Sequence, residues 1–303
     1  MKRALLIGLL LLFAQNQWAQ NHLDFFLKPA DSLNKTRHNT VVISQIGLSA
    51  GILVGLNQTW YADYPQTNFH TINDNIEWLQ MDKAGHVFSA YHLGSLGKNA
   101  WQWSGASRKS QLLYGATAGF AFLSVVEIMD GYSAQWGASL GDVAANAAGT
   151  GLYLAQELTW KEQRIIPKFS FHTTPYASAR PSALGSNYPE QLLKDYNGQT
   201  YWLSVNLHSF AKNSKIPSWL NMAVGYGAEG MITGNDELVN TVFLPESERF
   251  RQFYLSLDVD LTKIKTKSHL LKTVFEVFNT IKIPAPTLEL TEHGDFKFRG
   301  IYF

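Results

Sequence analysis

The chain has 303 residues, of which 46% are hydrophobic and only 16% charged, with a formal net charge of +1. That length and apolar content support one large or two medium folded domains and exclude a disordered chain. The near-neutral, charge-poor composition gives no electrostatic ground for a nucleic-acid partner and suits an envelope or membrane-contacting protein, while the absence of cysteine excludes disulfides, thiolate metal sites, cysteine nucleophiles and a lipidated cysteine.

Lys2 and Arg3 precede an unbroken apolar run from Ala4 to Ala14, followed by a polar stretch that ends at Trp18-Ala19-Gln20. This is the layout of a secretory signal peptide over residues 1–20, cleaved near Ala19 or Gln20, because the apolar run is short for a membrane span of about 20 residues. The mature chain is therefore expected to be exported. A mixed leader follows to about residue 38, with Pro29 and a capping Asp31 or Ser32. From Val41 to Leu56 the chain is apolar, with Gly47, Gly51 and Gly55 spaced every fourth residue, a small-residue face that lets a second helix approach closely. At about 1.5 Å per residue this segment reaches roughly 24 Å, marginal for a bilayer core and equally suited to a buried helix.

Trp60-Tyr61-Ala62-Asp63-Tyr64-Pro65 ends that helix, since the residue before proline is pushed out of the helical region, and its aromatics suit a membrane interface. A loop through Asn73-Asp74-Asn75 leads to helices expected at 76–103, 108–130 and 139–160. Ser139 is the expected N-cap of the last, with Asp142 at its third position. Residues 21–160 thus read as an antiparallel bundle of about four apolar helices. Beyond Lys161-Glu162-Gln163-Arg164 the periodicity drops toward two, as in Tyr201-Trp202-Leu203-Ser204-Val205-Asn206-Leu207 and Phe253-Tyr254-Leu255-Ser256-Leu257-Asp258-Val259, with a helical interlude at about 267–279. Residues 161–303 are expected to be β-rich, which makes the fold α+β. The aromatic ending Phe296–Phe303 resembles the last strand of an outer-membrane barrel, but only five or six strands are evident where at least eight are needed, so the region is expected to pack on or beside the bundle.

Three polar pairs at helical spacing interrupt the apolar helices: Asp82 with His86, Glu127 with Asp130, and Asp142 with Asn146. Residues three or four apart share one helix face, so all six side chains can converge, and buried acids persist only when paired, hydrogen-bonded, metal-bound or catalytic. Three readings stay open. In the first, the six form a structural network in which Asp142 caps and Asn146 bridges helices. In the second, His86, Glu127, Asp130 and Asp142 hold a divalent metal, a donor set suited to Mn, Fe or Zn, although the Glu-x-x-His pairs of carboxylate-bundle centres are missing. In the third, His86 is a base oriented by Asp82 or Glu127 that acts on an envelope lipid or glycan without metal; no Gly-x-Ser-x-Gly elbow supplies a serine nucleophile.

Other features carry less. Lys83 reads as a helix-surface or snorkelling lysine, and His70, His92, His172, His208 and His293 as solvated or packing side chains without ligand spacing. Gly225-Tyr226-Gly227-Ala228-Glu229-Gly230 lacks the helix that a nucleotide loop needs and reads as a strand and turn.

The blocks Asp82-Lys83-Ala84-Gly85-His86, Glu127-Ile128-Met129-Asp130 and Gly137-Ala138-Ser139-Leu140-Gly141-Asp142, continuing to Asn146 and Gly149, resemble the YfiM-like family of predicted periplasmic lipoproteins, a family of unknown function. The likeness covers residues 76–155, in a longer form similar to Bacteroidetes-type envelope proteins, with a more distant similarity to VanZ-like membrane proteins. The chain departs from short members in lacking the lipidation cysteine and adding the β-rich half. The resemblance implies a periplasmic location and a helical bundle, and no activity. The leading expectation is a non-enzymatic, membrane-associated envelope protein at the periplasmic face or outer membrane, with envelope lipids as partners and a polar core suited to lipid headgroups. The alternative is a hydrolase-like enzyme acting on lipid or glycan through His86 and the carboxylates.

Overall fold

The computed structural model describes residues 22–62, 64–235 and 248–303; the expected signal peptide lies outside the described residues. Helix α1 spans Lys35–Leu56 and runs into a π turn at Asn57–Tyr61. It begins six residues before the apolar run because Asn34 caps it, its side chain accepting from the Arg37 N–H at 3.0 Å. Of its residues only Val41 is buried, while Ile43, Ile46, Leu48, Ile52 and Val54 are exposed, and the space beside Gly47, Gly51 and Gly55 is open. The helix is fastened by Val41 against Trp101 and Ala106, by Gln45, which accepts from the Trp101 indole at 2.8 Å and donates to Tyr114 O at 3.2 Å, and beyond its end by Tyr61 bonded to Asp130.

Helix α2, Met81–Trp103, starts later than the apolar pattern suggests, because Trp78, Leu79 and Gln80 stand at positive φ (46°, 48° and 63°). Left-handed backbone at three consecutive non-glycine residues is costly. It is offset here by tertiary contacts: the Trp78 N–H donates to Gly234 O at 2.7 Å, and Trp78 and Leu79 pack on Met81, Ala228 and Met231. Helix α3, Ala118–Gly131, continues a turn at Arg108–Ser110 and a π stretch at Gln111–Ala116. Helix α4, Leu140–Thr159, has the expected cap: Ser139 Oγ accepts from the Asp142 N–H at 3.2 Å.

Glycines set the close approach of these helices. A Cβ on Gly119 would sit 2.4 Å from Ala90 O and one on Gly149 2.2 Å from Val87 O, so α3 and α4 both press their backbones onto α2. Contacts of Ala90, Gly94 and Gly97 with Gly119, Ala116 and Gly115 run antiparallel. Those of His86, Val87 and Tyr91 with Asn146, Gly149 and Tyr153 run parallel. Three helices therefore share one packed unit around Tyr91, Ala116, Tyr153 and Ile166. The fourth expected member, α1, joins them through Val41, Gln45 and Tyr61, while most of its apolar length stays exposed. A two-residue parallel ladder, β1 (Thr71–Ile72) with β2 (Ala138–Ser139), ties together the loops that precede α2 and α4.

The second half is one antiparallel meander in the order β3 (Ile165–Phe171), β4 (Gln199–Asn206), β5 (Leu220–Glu229), β6 (Phe250–Val259), β7 (Ala285–Thr291) and β8 (Phe296–Tyr302), so the α+β expectation holds. Helix α5, Tyr188–Lys194, lies between β3 and β4, and α6, His269–Phe278, fills the expected interlude. β7 escapes the sequence pattern because Pro286 lies inside it; the proline is accommodated at a register shift between Ala285 and Thr287. The glycine-rich stretch is a strand to Glu229 and a turn at Gly230, φ +82°.

The polarity of this sheet is inverted. Leu203, Val224, Leu255, Leu288 and Phe298 stand in register across five strands, and all are exposed. The opposite face buries Lys168, Ser204, Asn206, Asn221, Gln252, Ser256, Asp258 and Glu289. Lys168 donates to Asp258 at 2.8 Å with neither side chain exposed, and Asp258 also accepts from Ser204. The sheet curls around this polar interior: Tyr302 on β8 reaches Tyr254 at 3.0 Å and Thr200 at 3.2 Å, and the main chain of Phe169 bonds to Thr280 and Lys282. Apolar outside and polar inside is the pattern of membrane barrel strands, here with six strands in an open order among the described residues. Helix α2 covers one corner of the apolar face, with Phe88 against Phe169 and Tyr201.

Candidate functional site

Five of the six paired residues, all but Asp130, gather where α2, α3 and α4 meet. Lys83 is at the centre, its Nζ 2.7 Å from Asp74 Oδ2, 2.9 Å from Asp82 Oδ2 and 3.0 Å from Asp142 Oδ1. It is not the surface or snorkelling lysine that its sequence context suggests, because the β1–β2 ladder folds Asp74 over it and the α4 cap turns Asp142 toward it. Ser139 binds the same group from the other side: its hydroxyl donates to Asp74 at 2.5 Å and its N–H to Glu127 Oε2 at 3.1 Å.

His86 lies one turn beyond Lys83. Its Nδ1 is 2.9 Å from Asn146 Oδ1, and its Nε2 is 3.8 Å from both Glu127 Oε1 and Asp142 Oδ1. Both ring nitrogens are thus directed at protein groups. Asp130 stands apart from this set, accepting from the Tyr61 hydroxyl at 2.8 Å. Of the six residues expected to converge, His86, Glu127, Asp142 and Asn146 share one small space, Asp82 joins through Lys83, and Asp130 secures the end of α1.

Electrostatics follow from burial and from the single ammonium in reach. Burial pushes the Glu127 carboxyl up to about 7, against the Ser139 N–H and His86, and Asp130 up to about 6, against its Tyr61 bond. Burial also raises Asp82 and Asp142 despite Lys83 and His86. Asp74 goes the other way: burial is outweighed by bonds from Lys83 and Ser139, which hold it below the usual carboxylate range. Lys83 is likewise held above its ordinary value because its carboxylate partners outweigh burial. His92, by contrast, is a packing histidine, bonded to Pro167 O at 2.7 Å and pushed down to about 4 by burial.

Beside the cluster opens a cleft of about 350 Å³, walled by Phe88, Leu123, Phe169, Leu192 and Tyr201 and reached by Asp82 and His86. Gly85 keeps it open, since a Cβ there would lie 2.9 Å from the Tyr201 hydroxyl. Among the remaining polar atoms, Asp82 Oδ1, Glu127 Oε1 and Asn146 Nδ2 are buried without a hydrogen-bond partner. Sequence reasoning missed Asp74, Lys83 and Tyr61 as members. Asp74 was legible only as part of an Asn-Asp-Asn loop, and Lys83 only through its place beside Asp82.

No curated protein and no solved structure matches the chain. Residues 72–156, which hold the cluster from Asp74 to Asn146, match the family model described as predicted periplasmic lipoprotein (DUF2279).

Proposed function

We propose that this chain is an exported envelope protein that binds an amphipathic lipid, its acyl part in the cleft beside α2 and its polar end at Asp82. The carrying observation is the cleft itself: an apolar wall of aromatic and leucine side chains that ends on a buried, half-satisfied polar cluster. Ligand pockets generally combine an apolar lining with a few fixed polar groups in about 300–1,000 Å³, and this cleft lies at the lower end. Asp82 Oδ1 lacks a donor, so a hydroxyl or amine on the ligand's polar end would supply one. The inverted sheet and the exposed apolar length of α1 support a lipid-rich setting, and the family description supports export.

The test is binding of a fluorescent fatty-acyl probe to the detergent-purified full chain. Saturable binding near one probe per chain is expected. Ser89→Trp, which fills the cleft from α2, should abolish it while leaving the melting temperature within a few degrees. Absence of saturable binding to the folded wild-type chain, or undiminished binding to Ser89→Trp, would overturn the reading.

A further inference from the structure

The arrangement of His86, Glu127 and Asp142 goes beyond lipid binding and does not depend on it. We infer that these three side chains form a binding site for one first-row divalent cation of the Zn²⁺ or Mn²⁺ type, with Asn146 and Ser139 positioning the ligands.

Hydrogen-bond polarity fixes the tautomer of His86. An amide oxygen only accepts, so the 2.9 Å contact with Asn146 Oδ1 places the proton of neutral His86 on Nδ1. Nε2 then presents its lone pair toward Glu127 Oε1 and Asp142 Oδ1 at 3.8 Å each. Three electron-pair donors face one space, all within 4.8 Å of one another. Such a meeting is repulsive unless a proton or a metal ion sits among them, and a metal ion satisfies all three donors at once. Lys83 does not fill that role: it touches Asp142 Oδ1 but makes its other bonds to Asp74 and Asp82. Glu127 is the independent sign of a ligand. Its residue is 3% exposed, its Oε2 is held by the Ser139 N–H, and its Oε1, turned into the space, has no hydrogen-bond partner. An uncompensated buried carboxylate oxygen carries a large desolvation cost.

Geometry and charge agree. Three donors at about 2.1–2.2 Å from one ion in a trigonal array lie about 3.7 Å apart, close to the two 3.8 Å separations present. One imidazole and two carboxylates suit Zn, Mn or Fe better than Ca or Mg, which favour oxygen alone. With Lys83 balanced by Asp74 and Asp82, a divalent ion neutralises Glu127 and Asp142. Metal-bound histidines are regularly fixed through their second nitrogen, and bound carboxylates through a further donor; Asn146, Ser139 and Lys83 already occupy those places.

The test uses the full chain stripped with chelator and reloaded with Zn²⁺, Mn²⁺ or Co²⁺. Elemental analysis after dialysis should find one ion per chain, the Co²⁺ form should show the visible absorption of a nitrogen- and oxygen-ligated site, and the melting temperature should rise with ion concentration. Glu127→Gln should abolish retention, Asn146→Ala should weaken it about 10–100-fold, and Asp130→Asn should leave it intact. The wild-type cobalt spectrum keeps the test decisive if Glu127→Gln fails to fold. No retained ion and no ion-dependent stabilisation of the wild type, or equal retention by folded Glu127→Gln, would overturn the site, whatever the acyl probe reports.

Discussion

Lys83 faces Asp74, Asp82 and Asp142 at 2.7–3.0 Å, and breaking a buried pair by removing one partner costs about 3–5 kcal/mol. Its position is therefore structural as well as electrostatic. Glu127 has no such partner, and this gives the cation-free protein a definite pH dependence. Its carboxyl is raised from the ordinary 4.5 to about 7, so between those values the folded chain holds a proton that the unfolded chain has released. Stability then falls as pH rises through that window, by at most about 1.4 kcal/mol per pH unit for this group, and levels off above it. Asp130, raised to about 6, adds the same sign. Asp74 is lowered, so its contribution is fully present throughout this window and is lost only in more acidic solution. In chelator, the melting temperature should fall from pH 5 to pH 7.5, and Glu127→Gln should flatten that slope; a profile unchanged by the substitution would show that Glu127 does not carry it. At this scale the sequence exposed the acids and His86, because polar residues stand out in apolar helices. It hid Lys83, because a lysine beside an aspartate looks the same on a surface, and only the ladder that delivers Asp74 from a distant loop distinguishes the two.

The helices meet through glycine, and that makes the site sensitive to spacing. Gly149 sits one turn after Asn146 on α4 and presses against Val87 O, so the same contact that packs α4 on α2 sets the 2.9 Å reach from Asn146 to His86. Gly149→Ala would place a methyl 2.2 Å from that carbonyl and force the backbones apart, an overpacking cost of about 1–3 kcal/mol. The expected result is a lower melting temperature together with weaker cation retention, whereas Gly151→Ala, on open surface of the same helix, should change neither. A helix end was legible where a side chain makes the cap, as at Ser139. They were not legible at α2, where a left-handed run from Trp78 to Gln80 is held by Gly234 and Met231, more than 150 residues away. β7 was missed for a related reason: a proline argues against a strand until a register shift accommodates it.

For the molecule as a whole, the decisive question is what covers the outer face of the sheet. In water, a sheet with Leu203, Val224, Leu255, Leu288 and Phe298 exposed in one row and Lys168, Asp258 and Glu289 enclosed places its polar groups and its solvent on the wrong sides. A lipid surround would reverse the balance, because acyl chains would accept the apolar row while the buried ion pairs stayed enclosed. The alternation that encodes this is visible in the sequence, but its direction is not: period two reads the same whether the apolar side faces a core or a bilayer. Direction is fixed by the curl that brings Tyr302 to Tyr254 and Thr200, a contact between strands far apart in sequence. The full chain should therefore float with phospholipid vesicles at high salt, where electrostatic attachment is screened. Val224 and Leu255 are paired neighbours at the middle of the row. Arginine on a lipid-facing strand position costs about 2–4 kcal/mol near the bilayer centre and little near its surface. The double variant Val224→Arg and Leu255→Arg should leave the strand content seen by circular dichroism unchanged and release the protein from the vesicles. Wild-type chain that stays in solution under these conditions, or a folded double variant that floats as well as wild type, would mean that this face is covered by something other than lipid.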